Sequence, residues 1–232
     1  MFTKYHSVLS IIVPTLNEQA NIKATIDALN KSKISCPFDI IVVDGGSQDA
    51  TIYEARQRGA QIIKCERGRG HQLAAGGKQA KGEWLLFLHA DTILEAGWAQ
   101  EVGQFISNNA DLNRAGVFKF KLDEDTLAAR ILEAIVSWRT RTLSLPYGDQ
   151  GLLLSNKFYQ DLGGHAAITI MEDVEIMRRI GRGRLHIFKS HATTSSHKYQ
   201  RDGYLLRTLK NLLCLTLYFL RLRPHLISKI YK

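Results

Sequence analysis

The chain has 232 residues, of which 45% are hydrophobic and 23% charged. This composition is typical of a globular protein with a substantial core, and it excludes a disordered or fibrous chain. The three cysteines, Cys36, Cys65 and Cys214, are widely spaced and form no Cys-x-x-Cys pair. Neither a disulfide framework nor a zinc site is therefore predicted, and a reducing cytoplasm is the expected location.

The net charge of +9 is concentrated at the end of the chain. Residues 178–232 hold 13 Lys and Arg against the single acid Asp202, whereas residues 1–177 hold 18 basic and 21 acidic residues. Such a segment is typical of proteins that meet an anionic partner, and it also occurs as a solvated helical face. No membrane span is predicted, because the uncharged stretch at 211–220 has about half of the ~20 residues that a span needs. The apolar run at 8–13 is too short for a signal sequence.

In chain order, short runs of apolar and β-branched residues alternate with amphipathic segments. The runs predict strands at 10–13, 39–43, 61–64 and 84–88, and the segments predict helices near 20–30, 50–58, 71–81 and 95–107. A fifth strand is predicted at 115–122, and further helices at 126–141 and 174–180. The alternation predicts an α/β fold with a mostly parallel sheet covered by helices on both faces. Such sheets bind ligands at the carboxyl ends of their strands.

Polar residues follow each of the first four predicted strands, at the edge where ligands bind. The segments that contain them include Thr15, Asn17 and Glu18 after the first strand, Asp44, Gly45, Ser47 and Asp49 after the second, Arg69 and Gly70 after the third, and His89, Ala90 and Asp91 after the fourth. Each group taken alone is also explained as a helix cap or a turn. Their arrival at one edge of the sheet favours a binding site for a polar ligand.

The glycine-rich loop after the third strand differs from the common nucleotide-binding motifs. Leu73 stands where a dinucleotide fingerprint has its third glycine, and the chain has no GxxxxGK[ST] motif. The loop does place two arginines, Arg67 and Arg69, directly before a helix, where guanidinium and backbone N–H groups bind phosphate. A nucleoside diphosphate ligand is predicted, with a plain basic turn as the alternative.

Five segments together resemble the family 2 glycosyltransferases, inverting enzymes of the GT-A fold that take a sugar from a nucleotide donor. The segments are IIVPTLNE (11–18), IIVVDGGSQDAT (40–51), ERGRGHQLAAGGKQAKGEWLLFLHADT (66–92), GDQGLLLS (148–155) and MEDVEIMRRI (171–180). With SHKYQRDG (196–203) and RPHLISKIY (223–231), the chain resembles a small bacterial subgroup associated with radical-SAM or arsenosugar gene neighbourhoods. The resemblance implies a GT-A domain at 1–200, with a nucleotide-sugar-binding half (1–92) and an acceptor half (93–200), followed by basic amphipathic helices at 201–232.

The resemblance also implies the residues of a donor site for a nucleotide-sugar, with a UDP-sugar as the expected donor. Pro14, Asn17, Glu18 and Asp44 would line the pocket for the base and ribose, and Asp44 would accept a hydrogen bond from the base. The remaining expected donor-site residues are Thr15, Gly45, Ser47, Asp49, Arg69, Gly70, Ala90 and Asp91.

The expected metal motif departs from the family pattern. Family members have Asp-x-Asp where this chain has His89-Ala90-Asp91. Asp91 would hold Mn²⁺ or Mg²⁺, which neutralises the diphosphate leaving group. His89 is either a second ligand, which suits Mn²⁺ better than Mg²⁺, or a hydrogen-bonded neighbour.

The same resemblance assigns the acceptor side. Asp173 would be the general base that deprotonates the acceptor hydroxyl, with Glu172 as its substitute. Both acids equally suit the first turn of a helix, where they meet the helix dipole. Asp149 and Gln150 would position the acceptor. Three nearby aromatic residues are expected in the core, namely Phe118, Phe120 and Trp138.

Leucines recur along one face of the predicted tail helices, at Leu205, Leu206, Leu209, Leu212, Leu213, Leu217 and Leu220. With the basic residues nearby, this face fits contact with an anionic membrane, packing on the sheet, or a homodimer interface. A membrane contact would place the protein at the inner face of the membrane and fit a lipid-linked acceptor, and no nucleic-acid partner is predicted. Two alternative functions stay open: a nucleotidyltransferase, and a non-catalytic protein that binds a nucleotide or an anionic surface.

Overall fold

The computed structural model describes residues 8–108 and 112–231, and the strands within these ranges form one eight-stranded sheet. In chain order they are β1 (Leu9–Thr15), β2 (Phe38–Asp44), β3 (Gln61–Lys64), β4 (Trp84–Phe87), β5 (Thr92–Leu94), β6 (Ala115–Leu122), β7 (Leu152–Ser155) and β8 (Leu185–Thr194). Their order across the sheet is β3-β2-β1-β4-β7-β6-β8-β5. The predicted α/β fold and the five predicted strands are therefore confirmed.

The helices cover both faces of this sheet. They are α1 (Gln19–Asn30), α2 (Thr51–Arg56), α3 (Arg69–Gln79), α4 (Trp98–Asn108), α5 (Leu127–Leu143), α6 (Asn156–Asp161), α7 (Glu172–Ile180), α8 (His197–Asp202), α9 (Tyr204–Phe219) and α10 (Pro224–Tyr231). The predicted helix at 50–58 is shorter in the structure, and the one at 71–81 begins two residues earlier, at Arg69. The boundary expected between 200 and 201 falls inside α8.

The sheet changes direction at β7. Strands β1 to β4 run parallel to one another, whereas β7 lies between β4 and β6 and is antiparallel to both. Beyond it, β6 and β8 pair in parallel, and the edge strand β5 runs antiparallel to β8. The two halves of the domain are thus joined through an antiparallel strand that the sequence pattern did not predict.

The core has two layers, one on each face of the sheet. Along β1, Leu9 and Ile11 pack with α1 on one face, and Ile12 packs with α3 and α7 on the other. This alternation follows from the two-residue period of a strand. Because both faces of the sheet are covered, every side chain of β1 from Leu9 to Val13 is fully buried. The parallel half of the sheet is therefore fixed by apolar burial on both sides.

Two of the three aromatic residues expected in the core are there, and the third is not. Phe118 and Phe120 are buried, but 60% of Trp138 is exposed. The buried face of α5 is formed by small and branched side chains, including Ala129 and Val136, and Trp138 lies on the opposite side of the helix. The prediction for Trp138 was wrong because the helix has apolar residues on both of its faces.

Helix α3 lies so close to the sheet that it needs glycine at Gly76. A Cβ atom there would overlap the Ile12 Cγ2 atom and lie 2.9 Å from Val43 Cγ2. Both neighbours are fully buried branched residues, so neither has space into which to move.

We expect Gly76→Ala to lower the free energy of unfolding by about 1–3 kcal/mol, because the overlap outweighs the better helix propensity of alanine. Urea denaturation followed by circular dichroism measures this change. Gly183→Ala is the matched control, since no atom lies within 4 Å of a Cβ at that position. An equal loss of stability in both variants would contradict the close packing of α3.

Candidate active site

The loops after β1 and β2 are joined by hydrogen bonds from side chains that the sequence analysis placed in the donor site. The Asn17 backbone N–H donates to Ser47 Oγ at 2.9 Å, and Asn17 Oδ1 accepts from the Gln48 N–H at 2.8 Å. The Gln19 N–H donates to Asp49 Oδ2 at 3.1 Å. Asn17 itself has a left-handed backbone, with φ of 56°. The side chains of Asn17, Ser47 and Asp49 therefore fix the shape of the two loops. This agrees with the alternative interpretation of these residues as caps and turns.

Asp44 and Gly45 lie beneath this pair of loops. Asp44 is buried, and its carboxylate accepts hydrogen bonds from the backbone N–H groups of Gly46 and Ser47, at 2.9 and 3.0 Å. Gly45 is covered by Gln72, since a Cβ atom there would lie 3.2 Å from the amide of that side chain. The carboxylate of Asp44 thus orders its own turn, and Asp44 is not among the residues that line the pocket described next.

Six of the predicted donor residues line one pocket, here called the donor-side pocket. They are Pro14, Thr15, Glu18, Arg69, Ala90 and Asp91, and Arg67, Gln72, His89, Thr169 and Lys198 complete its polar lining. The Thr15 hydroxyl is buried and has no hydrogen-bond partner among the described residues. Such a hydroxyl is uncommon, since most buried polar atoms have a hydrogen-bond partner.

Gly70 is placed differently from the other predicted donor residues. A Cβ atom at Gly70 would overlap the carbonyl oxygen of Ile168 and lie 2.5 Å from that of Ala166. Glycine is therefore required here because the segment between α6 and α7 crosses the first turn of α3.

His89, Asp91 and Asp149 form a cluster whose ligand atoms all lie within 4.8 Å of one another. His89 Nδ1 contacts Asp149 Oδ1 directly, and Asp91 Oδ2 lies 3.4 Å from Lys198 Nζ. Burial alone would raise the pKa of Asp149, but the His89 imidazole, with smaller contributions from Arg69 and Lys198, lowers it below its usual value. Asp149 is therefore an ionised oxygen donor beside the two residues predicted to bind a cation.

Strand pairing brings these residues together from distant parts of the chain. Phe87 at the end of β4 pairs with Leu152 at the start of β7, and the two strands are antiparallel. His89 follows Phe87 by two residues and Asp149 precedes Leu152 by three, so both leave the sheet at the same edge. The resemblance placed Asp149 with the acceptor, whereas the structure places it beside His89, 60 residues away in the chain.

Gln150, the other predicted acceptor residue, is directed into the protein. Its side chain is buried, and its Nε2 donates to the Phe118 carbonyl at 2.8 Å. Its Oε1 accepts from the Tyr147 N–H at 2.9 Å and from the Thr140 hydroxyl at 3.0 Å. Every polar atom of the amide is thus used inside the domain, where it holds the turn that presents Asp149.

The acidic pair at the start of α7 is divided between two environments. Glu172 is buried, and its Oε1 lies 3.6 Å from Arg69 Nε. Burial raises the pKa of Glu172; the Arg69 charge opposes this rise and the neighbouring Asp173 adds to it. Asp173 is half-buried, and its Oδ2 accepts the Gly148 N–H at 3.2 Å. Of the two acids, Asp173 is the one with access to solvent.

Asp173 faces a second cleft, which lies beside the donor-side pocket. Arg69, His89, Asp91 and Lys198 belong to the walls of both, so the two spaces meet at the cluster. The second cleft also contains residues that the sequence analysis did not single out: Arg139, Tyr147, Tyr199, Arg207, Asn211 and Tyr231. Four of them come from α8, α9 and α10, so the tail helices form part of the cleft wall.

Below the second cleft, His165 anchors the segment that crosses Gly70. Its backbone N–H donates to the Tyr159 hydroxyl at 3.0 Å, and its ring lies against Phe87 with centroids 4.5 Å apart. Burial lowers the pKa of His165 to about 3, and the charge of Arg179 acts in the same direction. The imidazole is therefore neutral in the folded chain at ordinary pH.

The profile of Glycosyl transferase family 2 matches residues 10–175. The chain belongs to this family. A Haemophilus influenzae protein named "Uncharacterized glycosyltransferase" is 31% identical to this family 2 chain over 109 residues, which are 46% of the chain and 37% of the relative. A Mycobacterium bovis "PGL/p-HBAD biosynthesis glycosyltransferase" is 34% identical over 110 residues, or 44% of the chain and 43% of the relative. The chain thus covers less than half the length of either relative.

Solved structures share the fold over most of the chain. PcManGT, a mannosyltransferase from Pyrobaculum calidifontis in complex with GDP-Man and Mn²⁺, has a TM-score of 0.63 at 18% identity, covering 89% of this chain and 61% of that one. S. aureus TarS in complex with UDP-GlcNAc has a TM-score of 0.62 at 18% identity, covering 96% and 70%. The family 2 chain therefore has the GT-A fold.

Because an unfolded histidine binds a proton near pH 6.5 and the buried His165 does not until about pH 3, acid destabilises the folded chain. Between about pH 7 and pH 5 we expect this residue to remove about 2 kcal/mol of unfolding free energy. His165→Gln should reduce that slope, and urea denaturation at both pH values measures it. Exposed His197 supplies the control His197→Gln, and an unchanged slope in His165→Gln would contradict the assignment.

Proposed function

We propose that the chain is an inverting glycosyltransferase that moves a sugar from a nucleoside diphosphate donor, a UDP-sugar, to an acceptor hydroxyl. The observation that carries this proposal is the meeting of the donor-side pocket and the second cleft at His89, Asp91 and Asp149. A donor whose diphosphate lay at the cluster would place its sugar at the junction and its leaving group beside Arg69 and Lys198. Family membership supports the same reaction class.

The donor class is supported by what the structural relatives contain. PcManGT was solved with GDP-Man and TarS with UDP-GlcNAc, and both are nucleoside diphosphate sugars. In this chain Thr15 and the half-exposed Arg69 line the pocket that such a donor would fill. The small bacterial subgroup that the motifs resemble stays a prediction, and it names no acceptor.

The cluster fits a divalent cation. Two carboxylates and one imidazole are the donor set, which is acceptable to Mn²⁺ and less favourable for Mg²⁺. We assign Asp91, Asp149 and His89 as the residues that would hold the ion. His89 stands where the family motif has its first aspartate, and Asp149 would supply the carboxylate that is missing there. A bound cation neutralises charge on a diphosphate leaving group. Lys198, which pairs with Asp91, would then be released to add its own charge to the phosphates.

Asp173 is the proposed general base. Gly148 and Val174 donate backbone hydrogen bonds to its two oxygens, at 3.2 and 2.8 Å, so the carboxylate has a fixed direction at the cleft. Removal of the acceptor proton by this carboxylate would let the hydroxyl oxygen attack the anomeric carbon from the face opposite the diphosphate. The buried Glu172 holds Arg69 in place and is therefore a positioning residue.

We expect UDP with Mn²⁺ to stabilise the chain against heat, by about 2.7 kcal/mol at 100 times its dissociation constant, or about 5–10 °C. Asp91→Asn and Asp149→Asn should each abolish the part that depends on the cation, and Mn²⁺ titration followed by electron paramagnetic resonance measures cation binding directly. GDP, CDP, dTDP and ATP serve as competitors for base selectivity. Asp161→Asn, at the exposed end of α6, is the control. Full Mn²⁺ binding by Asp149→Asn would remove Asp149 from the site.

Asp173→Asn should lower the rate of UDP release from a UDP-sugar by about 10²–10⁴-fold, because the base is lost while the donor pocket is intact. The measurement is a coupled assay for UDP with water as acceptor, alongside the thermal shift by UDP and Mn²⁺. Asp161→Asn should match the unaltered chain in both. A normal turnover rate in Asp173→Asn would exclude Asp173 as the base.

A further inference from the structure

Helix α9 exposes most of its leucines, although Leu215 packs against the core, and Arg207 and Asn211 lie on the inside. Five of its leucines, with Leu220 directly after it, are between 48% and 74% exposed: Leu205, Leu206, Leu209, Leu212, Leu213 and Leu220. On the opposite side, Arg207 and Asn211 line the second cleft and Cys214 is fully buried. An amphipathic helix on a water-soluble domain normally has the reverse arrangement. The packing of α9 on the sheet, one of the alternatives from the sequence, is thus excluded for the leucine face.

A second exposed apolar stripe runs along α5, which packs beside α9. Leu127, Ile131, Ile135 and Trp138 recur at helical spacing and are between 45% and 75% exposed. Their neighbours at the ends of the stripe, Arg130 and Arg141, are exposed as well. We call the α5 and α9 stripes, which lie on two helices in contact, the outer apolar surface. Its ten exposed apolar side chains contrast with the singly scattered ones of an ordinary protein surface.

The charge around the outer apolar surface decides what fits against it. Residues 178–232 hold 13 basic residues and one acidic residue. Arg207 and Lys210 of α9 lie against Tyr231 on the inner side, so the basic residues beside the outer apolar surface are Arg141 of α5 and those that follow α9. Arg221, Arg223 and Lys229 are exposed and form no ion pair with any described residue. A second copy would bring an equal positive charge to the interface, whereas an anionic bilayer attracts it at about 1 kcal/mol for each basic residue near the surface.

We propose that the outer apolar surface docks on an anionic lipid bilayer. The leucines of α9 and the apolar stripe of α5 enter the interface between headgroups and acyl chains, Trp138 lies at the headgroup level, and the arginines contact lipid phosphates. Among the described residues no helix is both long and apolar enough to cross a bilayer, so the contact is made from one side. Because Arg207 and Asn211 line the second cleft from the opposite side of α9, docking places α9 between that cleft and the bilayer.

Co-sedimentation of the full chain with lipid vesicles tests this proposal. We expect binding to phosphatidylcholine vesicles that contain phosphatidylglycerol, and at least about tenfold weaker binding to phosphatidylcholine alone or at high salt. Leu209→Gln/Leu213→Gln and Ile131→Gln/Trp138→Gln should each weaken binding to anionic vesicles about tenfold or more. The matched control is Tyr53→Gln/Ile93→Gln, which replaces two exposed apolar side chains elsewhere on the surface and should bind like the unaltered chain.

Two further measurements make the outcome decisive. Circular dichroism and the thermal shift by UDP and Mn²⁺ should be unchanged in all variants, so a vesicle-binding defect is separated from misfolding and from failure of the donor site. Analytical ultracentrifugation should show a monomer. Absence of binding to anionic vesicles at low salt would overturn the proposal, and so would a dimer that Leu209→Gln/Leu213→Gln dissociates, which would assign the surface to a second copy of the chain.

Discussion

The antiparallel pairing of β4 with β7 is the constraint on which the candidate site depends. In a sheet of parallel strands, residues at one edge all follow the strands that carry them. Because β7 runs the other way, the residues that precede it reach the same edge, and Asp149 meets His89 there. A slip of one residue in this pairing would turn the side chains of β7 to the opposite faces of the sheet and would shift the turn that carries Asp149. Gln150 resists that slip, since its amide is bonded to three other parts of the domain.

The charges around this junction are balanced in a way that suits an anionic ligand. Asp91, Asp149, Glu172 and Asp173 lie within or beside one cleft, where four carboxylates repel one another. Arg69 pairs with Glu172 and Lys198 with Asp91, which offsets part of this repulsion. A cation at the cluster would take over the role of these basic side chains and leave them available for phosphate oxygens. The same side chains thus offset the repulsion between the carboxylates and are suited to bind phosphate oxygens.

The sequence predicted what local patterns determine, and it missed what depends on distant pairing. Apolar runs located the five strands with the strongest signal, and several of the polar residues after the first four strands line the donor-side pocket. The roles of Asn17 and Gly70 were harder to predict from the sequence, because the same residue types fix loops and bind ligands. Asp149 could not be joined to His89 without the register of β7. The outer face of α9 was visible as a leucine stripe, but only the structure shows that it is uncovered.

The exposure of Trp138 has a practical consequence, because the chain has three tryptophans and the other two, Trp84 and Trp98, are buried in the core. A soluble quencher such as acrylamide reaches a buried indole poorly, so most quenchable emission comes from a single side chain on α5. Quenching of the intrinsic fluorescence therefore reports on the surroundings of Trp138 on α5 without any label. A blue shift of that emission would signal that the indole has left water, and the core tryptophans would serve as an internal reference for the folded state.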